Sequence, residues 1–149
     1  AQVLQFGIVL NVTAGLGAAF FAWVDDVVGS RRTILLSLVS LLVCTTALLV
    51  VEGVVWFWIW GAILGVFVGP VQAASRSYLA RVAPDALRTE MFGLYTLSGK
   101  ATAFLGPFAV GWLTYLAGSQ RIGMGAVLLF FAAGALLLWT VPPADEAPI

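Results

Sequence analysis

Five long stretches of this chain carry no charged residue: Ala1 to Val24, Thr33 to Val51, Gly53 to Ser75, Ala101 to Gln120 and Ile122 to Ala144. Crossing about 30 Å of hydrocarbon takes roughly 20 apolar residues as a helix, so each stretch is long enough for one span. Charged residues make up only 9% of the sequence and hydrophobic ones 62%, whereas a soluble domain spends about a quarter of its residues on charge. Too little polar surface remains to cover a globule in water. The chain therefore reads as an all-α, multi-pass membrane protein.

The same composition narrows the function. A net charge of +0 leaves no basic excess to neutralise phosphates, which argues against nucleic-acid binding. The sequence has no histidine and one cysteine, Cys44, so thiolate metal sites and histidine-based triads cannot be built. Cys44 reads as a small apolar filler, and neither metal nor cofactor is expected. Asp25, Asp26 and Glu90 fall at the membrane interface, so no acid–base pair lies at depth and an enzyme is the weakest reading. Ala1 stands inside an apolar run, with no initiator methionine, basic n-region or cleavage pattern, which reads as a fragment rather than a signal peptide.

The expected spans are α1 from about Gln2 to Val24, α2 from Thr33 to Val51, α3 from Val54 to Ser75, α4 from Met91 to Leu116 and α5 from Ile122 to Val141. The fourth carries Lys100 and Pro107, and an alternative trims it to Ala101–Gln120 with Met91–Gly99 at the interface. Arg31, Arg32, Arg76, Arg81 and Arg88 fall on one side and Arg121 on the other, which by the positive-inside rule puts the α1–α2 and α3–α4 connections in the cytoplasm. The tail, Pro142 to Ile149, then also lies in the cytoplasm. Trp56, Trp58 and Trp60 at one surface, with Trp23 and Trp139 at the other, form an aromatic belt.

Small residues mark faces on which helices approach closely. At 100° per residue, α1 aligns Gly7, Asn11, Gly15, Ala18 and Ala22; α3 aligns Gly61, Gly65, Gly69, Gln72 and Ser75. On α4 the stripe is Gly93, Thr96, Lys100, Ala103, Pro107, Gly111 and Thr114. The glycines read first as packing residues, but the polar members Asn11, Gln72, Arg76, Thr96 and Lys100 are candidates for solute or coupling-ion contact. If α4 begins near Glu90, Lys100 stands about 15 Å in, close to the midplane. If it begins later, Lys100 snorkels to the surface instead. Bulky aliphatic α2 and α5 are expected to face lipid.

The connection after α1 reads Asp25-Asp26-Val27-Val28-Gly29-Ser30-Arg31-Arg32. Its glycine allows a chain reversal, and its arginines can pair with carboxylates or with helix C-termini nearby. A solvated loop that only anchors topology is the plainer alternative. Asp26, Gly29, Arg31 and Arg32 resemble the cytoplasmic D-R-F-G-R-K-R signature of the major facilitator superfamily, as repeated in its second half; Val27, Val28 and Ser30 depart from it. QAASRSYLARVAP from Gln72 to Pro84, FGLYTLSGKATAFLGP from Phe92 to Pro107 and GSQR from Gly118 to Arg121 are similar to the vacuole-effluxer branch, which includes vacuolar permeases that export amino acids. Gly106-Pro107 resembles the Gly-Pro element of that superfamily's fifth and eleventh helices.

The resemblance implies that the five helices are the eighth to twelfth of twelve, a carboxy-terminal six-helix bundle lacking its first helix. It implies a secondary transporter that moves small solutes, amino acids among them, by alternating access. Its partners would be the lipid bilayer, the amino-terminal bundle of the same protein and a solute, with a coupling ion as a further candidate. Asp26, Gly29, Arg31 and Arg32 would form a gating loop, with Asp26 and Arg31 latching onto the other bundle. The alternative from a different class is a multi-pass scaffold or assembly subunit with no cavity. The membrane would be the cytoplasmic one in a bacterium and a vacuolar-type one in a eukaryote.

Overall fold

The computed structural model describes residues 2–141, and the expected tail lies outside the described residues. Five helices fill this span: α1 Gln2–Val28, α2 Ser30–Val50, α3 Val54–Val82, α4 Arg88–Ala117 and α5 Gln120–Thr140. No strand occurs among the described residues. α1, α2, α3 and α5 are each long and apolar enough to cross a membrane, and α4 falls short of that measure. Arg88, Glu90, Lys100 and a row of hydroxyl residues dilute its first half. The protein is an integral, multi-pass helical bundle.

Two helices outrun their expected ends. α1 continues past Val24 through Asp25 and Asp26, and α3 continues past Ser75 through Arg76 and Arg81. Nothing breaks either segment before Gly29 and Pro84, and the residue before a proline is pushed out of the helical region, as Ala83 is at φ −70°, ψ 122°. Residues 88–100 belong to the same continuous helix as 101–117 and do not form a separate interfacial segment. The reversals are correspondingly tight. Gly29 alone joins α1 to α2 at φ 91°, a conformation that a Cβ disfavours. Its N–H donates to the Asp25 carbonyl (3.0 Å) while its own carbonyl accepts from the Thr33 N–H (3.1 Å), so backbone pairing runs through the turn.

α1 and α2 both pack along α3, α2 also touches α5, and α5 holds α4; α3 and α4 barely meet. The α1–α3 seam is a backbone contact. A Cβ added at Gly17 would run into the backbone of Val66, and one at Gly69 into the backbone of Ala14. At Gly61 and Gly65 it would strike Phe6 and Thr13. Pro70, inside α3 and buried, has no N–H for the carbonyl one turn earlier, which is the Val66 carbonyl facing Gly17. Aromatic rings close the same seam, with Phe6 against Phe57 and Trp58 (centroids 4.9 and 5.5 Å) and Phe21 against Phe67 (5.6 Å). Trp58 thus turns inward, while Trp56 and Trp139 remain largely exposed.

The face of α1 that meets α3 follows Phe6, Leu10, Thr13, Ala14, Gly17 and Ala18. The expected line Gly7–Asn11–Gly15 lies beside it: Gly7 and Gly15 have open space where a Cβ would stand. α2 also departs from expectation. It is not merely an outer helix, because Thr33, Ile34, Ser37, Leu41, Cys44 and Thr45 are buried. That stripe of small and hydroxyl residues recurs every three to four positions, and the bulky Leu36, Val39 and Val43 face outward. At the far end, Gly118 closes α4 in the left-handed region (φ 63°), and Gly123 seats α5 against Val110 and Thr114.

Because the α1–α3 contact is backbone on backbone, Gly17→Ala or Gly69→Ala should force the helices apart. The expected cost is about 1–3 kcal/mol, as for overpacking elsewhere. It would be read as a lower melting temperature in detergent, with Gly125→Ala, which meets no atom within 4 Å, as the control. Equal melting of all three variants would contradict the seam.

Candidate functional site

The loose meeting of α3 and α4 leaves a cavity of about 710 Å³ between them. From α3 it is lined by Gln72 and Arg76, one turn apart; from α4 come Phe92, Tyr95, Thr96, Gly99, Lys100 and Ala103, together with Ser98 and Thr102. Four of the five candidate solute residues are thereby brought together across two helices. Asn11 is not: it is exposed on α1, and its amide donates to the Gly7 carbonyl (2.8 Å).

Depth follows from helix geometry. Lys100 lies twelve residues into α4, about 18 Å along the axis, and Gln72 lies about 15 Å from the end of α3 at Val82. Both helix ends join at the 83–87 turn, so these residues share a level well inside the two helices. Arg76 sits about 9 Å from the same end.

The lining chemistry is one-sided. Arg76 and Lys100 supply two cations, and no carboxylate lines the cavity among the described residues. Neither cation makes a hydrogen bond or ion pair within the described residues, and nor does Gln72. The hydroxyls are spent differently: Thr96 donates to the Phe92 carbonyl (2.9 Å), Ser98 to Tyr95 (2.8 Å) and Thr102 to Ser98 (2.8 Å). Their oxygens keep lone pairs that can accept from a ligand. One turn beyond, Pro107 leaves the Ala103 carbonyl without its helical donor and gives α4 a point of flexure. Gly106 beside it meets no atom within 4 Å and Pro107 is exposed, so neither packs against another described helix.

A second polar group gathers where α1, α2, α3 and α5 end together. Arg81, in the last turn of α3, lies 3.4 Å from Asp26 and 3.8 Å from Asp25. The Asp25 side chain is only 9% exposed against 76% for the Asp26 pairing partner, and its Oδ1 has no hydrogen-bond partner. Arg31 donates to the Trp139 and Leu138 carbonyls (2.9 and 3.5 Å), covering the carbonyl end of α5. Arg32 projects outward. Asp26 and Arg31 are therefore neighbours in sequence with separate partners. On the opposite side Arg121 lies 3.8 Å from Glu52.

Asp25 and Arg81 are not among the candidate residues that the sequence marks. Asp25 continues the α1 contact face by one turn from Phe21, a periodicity visible in the sequence once that face is fixed by Gly17 and Ala18 rather than by Gly7 and Gly15. Arg81 lies beyond the expected end of α3 at Ser75, and only the longer helix turns it onto the end of α1.

Arg81 is the only cation within ion-pair distance of buried Asp25 among the described residues. Arg81→Met should therefore destabilise the α1–α3 junction by about 1–3 kcal/mol, the cost of stranding a buried polar group. Adding Asp25→Asn should recover most of that loss in a thermal-unfolding double-mutant cycle. Additive losses would show that the two residues do not interact.

The comparisons with known proteins fit this geometry. Residues 1–145 match the model of the family described as vacuole effluxer Atg22 like. The chain is 30% identical over 104 residues to an uncharacterized MFS-type transporter, YxiO, of Bacillus subtilis, covering 70% of this chain and 24% of that protein. It is 33% identical over 75 residues to autophagy-related protein 22-1 of Phaeosphaeria nodorum, covering 50% of this chain and 13% of that one. Autophagy-related protein 22 of Cryptococcus neoformans is 33% identical over 69 residues, 46% of this chain and 11% of the relative. The chain thus spans about a quarter of the bacterial relative's length and less of the fungal ones. No solved structure matches it. Five helices in tight succession, four of them long and apolar enough to cross a membrane, agree with a family match over residues 1–145, and the chain belongs to the vacuole effluxer Atg22-like branch of the major facilitator superfamily of transporters.

Proposed function

We propose that this chain supplies one wall of the solute path of a secondary transporter working by alternating access, and that the solute carries a carboxylate. Amino acids are the class to test first. The observation that carries this reading is the α3–α4 cavity, lined by Arg76 and Lys100, which have no partner among the described residues, by the Gln72 amide and by back-bonded hydroxyls, with no described acidic residue among them. An ammonium near the bilayer centre costs about 2.5–3.5 kcal/mol on insertion scales, which an anionic solute group offsets while it is bound. The guanidinium of Arg76 offers a carboxylate two parallel donors, and Lys100 offers a point charge beside it. The hydroxyl oxygens of Thr96 and Thr102 can accept from a protonated amine on the same molecule.

Alternating access requires the cavity to open toward one side at a time, usually by rocking of one bundle against another about a midplane site. In this reading the second wall, and any coupling-ion site, belong to the remainder of the transporter. Flexure at Pro107 would let the cavity-lining half of α4 move while its other half stays on α5. Asp26, Gly29, Arg31 and Arg32, with Arg81 added, would form the cytoplasmic gate.

The test is counterflow in proteoliposomes holding the full-length transporter, with a panel of amino acids and their decarboxylated amines. Amino acids should exchange and the amines should not. Lys100→Met should insert and fold normally yet lose about 10- to 100-fold in exchange rate, the worth of a charged hydrogen bond. Arg76→Lys, which keeps charge but loses the planar fork, should lose transport as well. Wild-type exchange by Lys100→Met, or equal exchange of amines, would overturn the proposal.

A further inference from the structure

The adjacent arginines that open α2 have different surroundings. Successive helical residues point about 100° apart, and while Arg31 covers the carbonyl end of α5, Arg32 makes no hydrogen bond or ion pair within the described residues. Arg32 instead stands at the mouth of a groove of about 410 Å³ between α2 and α5. Leu35, Leu36 and Val39 form one wall, Ala135 and Leu136 the other, and Trp139 the rim. Leu36, Val39, Leu136 and Trp139 are 53%, 54%, 70% and 74% exposed, so no described helix covers the groove. Arg32 and Val39 are seven residues apart on one stripe, and the groove descends about 10 Å from the guanidinium toward the interior of the membrane.

A trough without polar walls, capped by a single unpaired cation, suits a molecule that is apolar for most of its length and negative at one end. We propose that this groove is a binding site for an anionic phospholipid. One acyl chain lies along Leu36, Val39 and Leu136, and the headgroup phosphate meets Arg32. Trp139 sits at headgroup level, where amphipathic rings concentrate. The N-terminus of α2 lends further positive potential at the mouth, and Arg31 neutralises the α5 carbonyls that would otherwise repel the phosphate. A free inorganic anion would leave the apolar walls unused. A protein helix seated in the groove would have to bring a carboxylate to Arg32 at the membrane surface.

The experiment uses the full-length transporter in nanodiscs containing equal fractions of phosphatidylglycerol and phosphatidylcholine, one of the two brominated in turn. Quenching of Trp139 is obtained by difference from Trp139→Phe. Brominated phosphatidylglycerol should quench more strongly than brominated phosphatidylcholine, with a preference of about fivefold, the factor one basic residue contributes at an anionic surface. Arg32→Gln should abolish the preference and Arg32→Lys should retain it, which separates loss of charge from loss of fold. Equal quenching by both lipids, or a preference that survives Arg32→Gln, would overturn the proposal. So would absence of quenching by either lipid, which would mean that protein fills the groove, and so would loss of the preference on adding inorganic phosphate, which would mean a simple anion site. Because the readout is lipid contact and not transport, it stands or falls independently of the α3–α4 cavity.

Discussion

Apolar helices gain little by meeting one another in hydrocarbon, because lipid tails are as apolar as their own side chains. What holds this bundle is the close approach of backbones where side chains are missing. The α1–α3 seam is built on Gly17 and Gly69, each facing backbone of the other helix, with Gly61 and Gly65 receiving Phe6 and Thr13. α2 joins through its own stripe of small and hydroxyl residues, Thr33, Ser37, Cys44 and Thr45. The result is a tight group of three helices. α4 carries no comparable contact toward α3 and is held by α5 through Gly123.

The cavity follows from that asymmetry. With α3 fixed on one side and α4 held on the other, the polar stripes of both helices face a gap instead of each other, and two cations remain without partners among the described residues. The outer face of α4 is of a different kind, with Phe104, Phe108 and Trp112 in a stacked row (centroids 6.1 Å apart) and largely exposed. Charge at the helix ends then ties the unit together. Arg81 draws α3 to α1, Arg31 draws α2 to α5, and Arg121 with Glu52 spans the other surface. The exposed members of these pairs contribute little to stability one by one, but they determine which helix ends lie side by side.

Much of this was legible in the sequence. Uncharged runs of membrane-spanning length gave the helices, and the stripe from Gly61 to Gln72 gave the inner face of α3, because spacing alone determines which residues share a helix face. Spacing likewise put Gln72 with Arg76 on one face of α3 and Thr96 with Lys100 on one face of α4, but it could not show that the two faces line one gap. Periodicity could not tell which of two neighbouring small-residue stripes on α1 meets α3. Gly7–Gly15 and Ala14–Gly17–Ala18 differ by about one residue in rotation, and the choice rests on the shape of α3. The buried stripe of α2 was hidden because its uncharged hydroxyl residues are scattered among leucines and mark no face; of them Thr33 bonds back to the Gly29 carbonyl, while Ser37 and Thr45 have no hydrogen-bond partner among the described residues. The ion pairs of Arg81 depended on how far α3 runs beyond the bilayer, which composition does not decide.

Solute bound in the gap between α3 and α4, as proposed, would shield thiols introduced there. In the full-length transporter, single cysteines at Thr96 and Ala103, which line the cavity, and at Phe104, on the outer face, would be alkylated with and without saturating transported amino acid. Solute should slow modification at 96 and 103 and leave 104 unchanged. Equal rates at all three positions, with and without solute, would contradict the proposal.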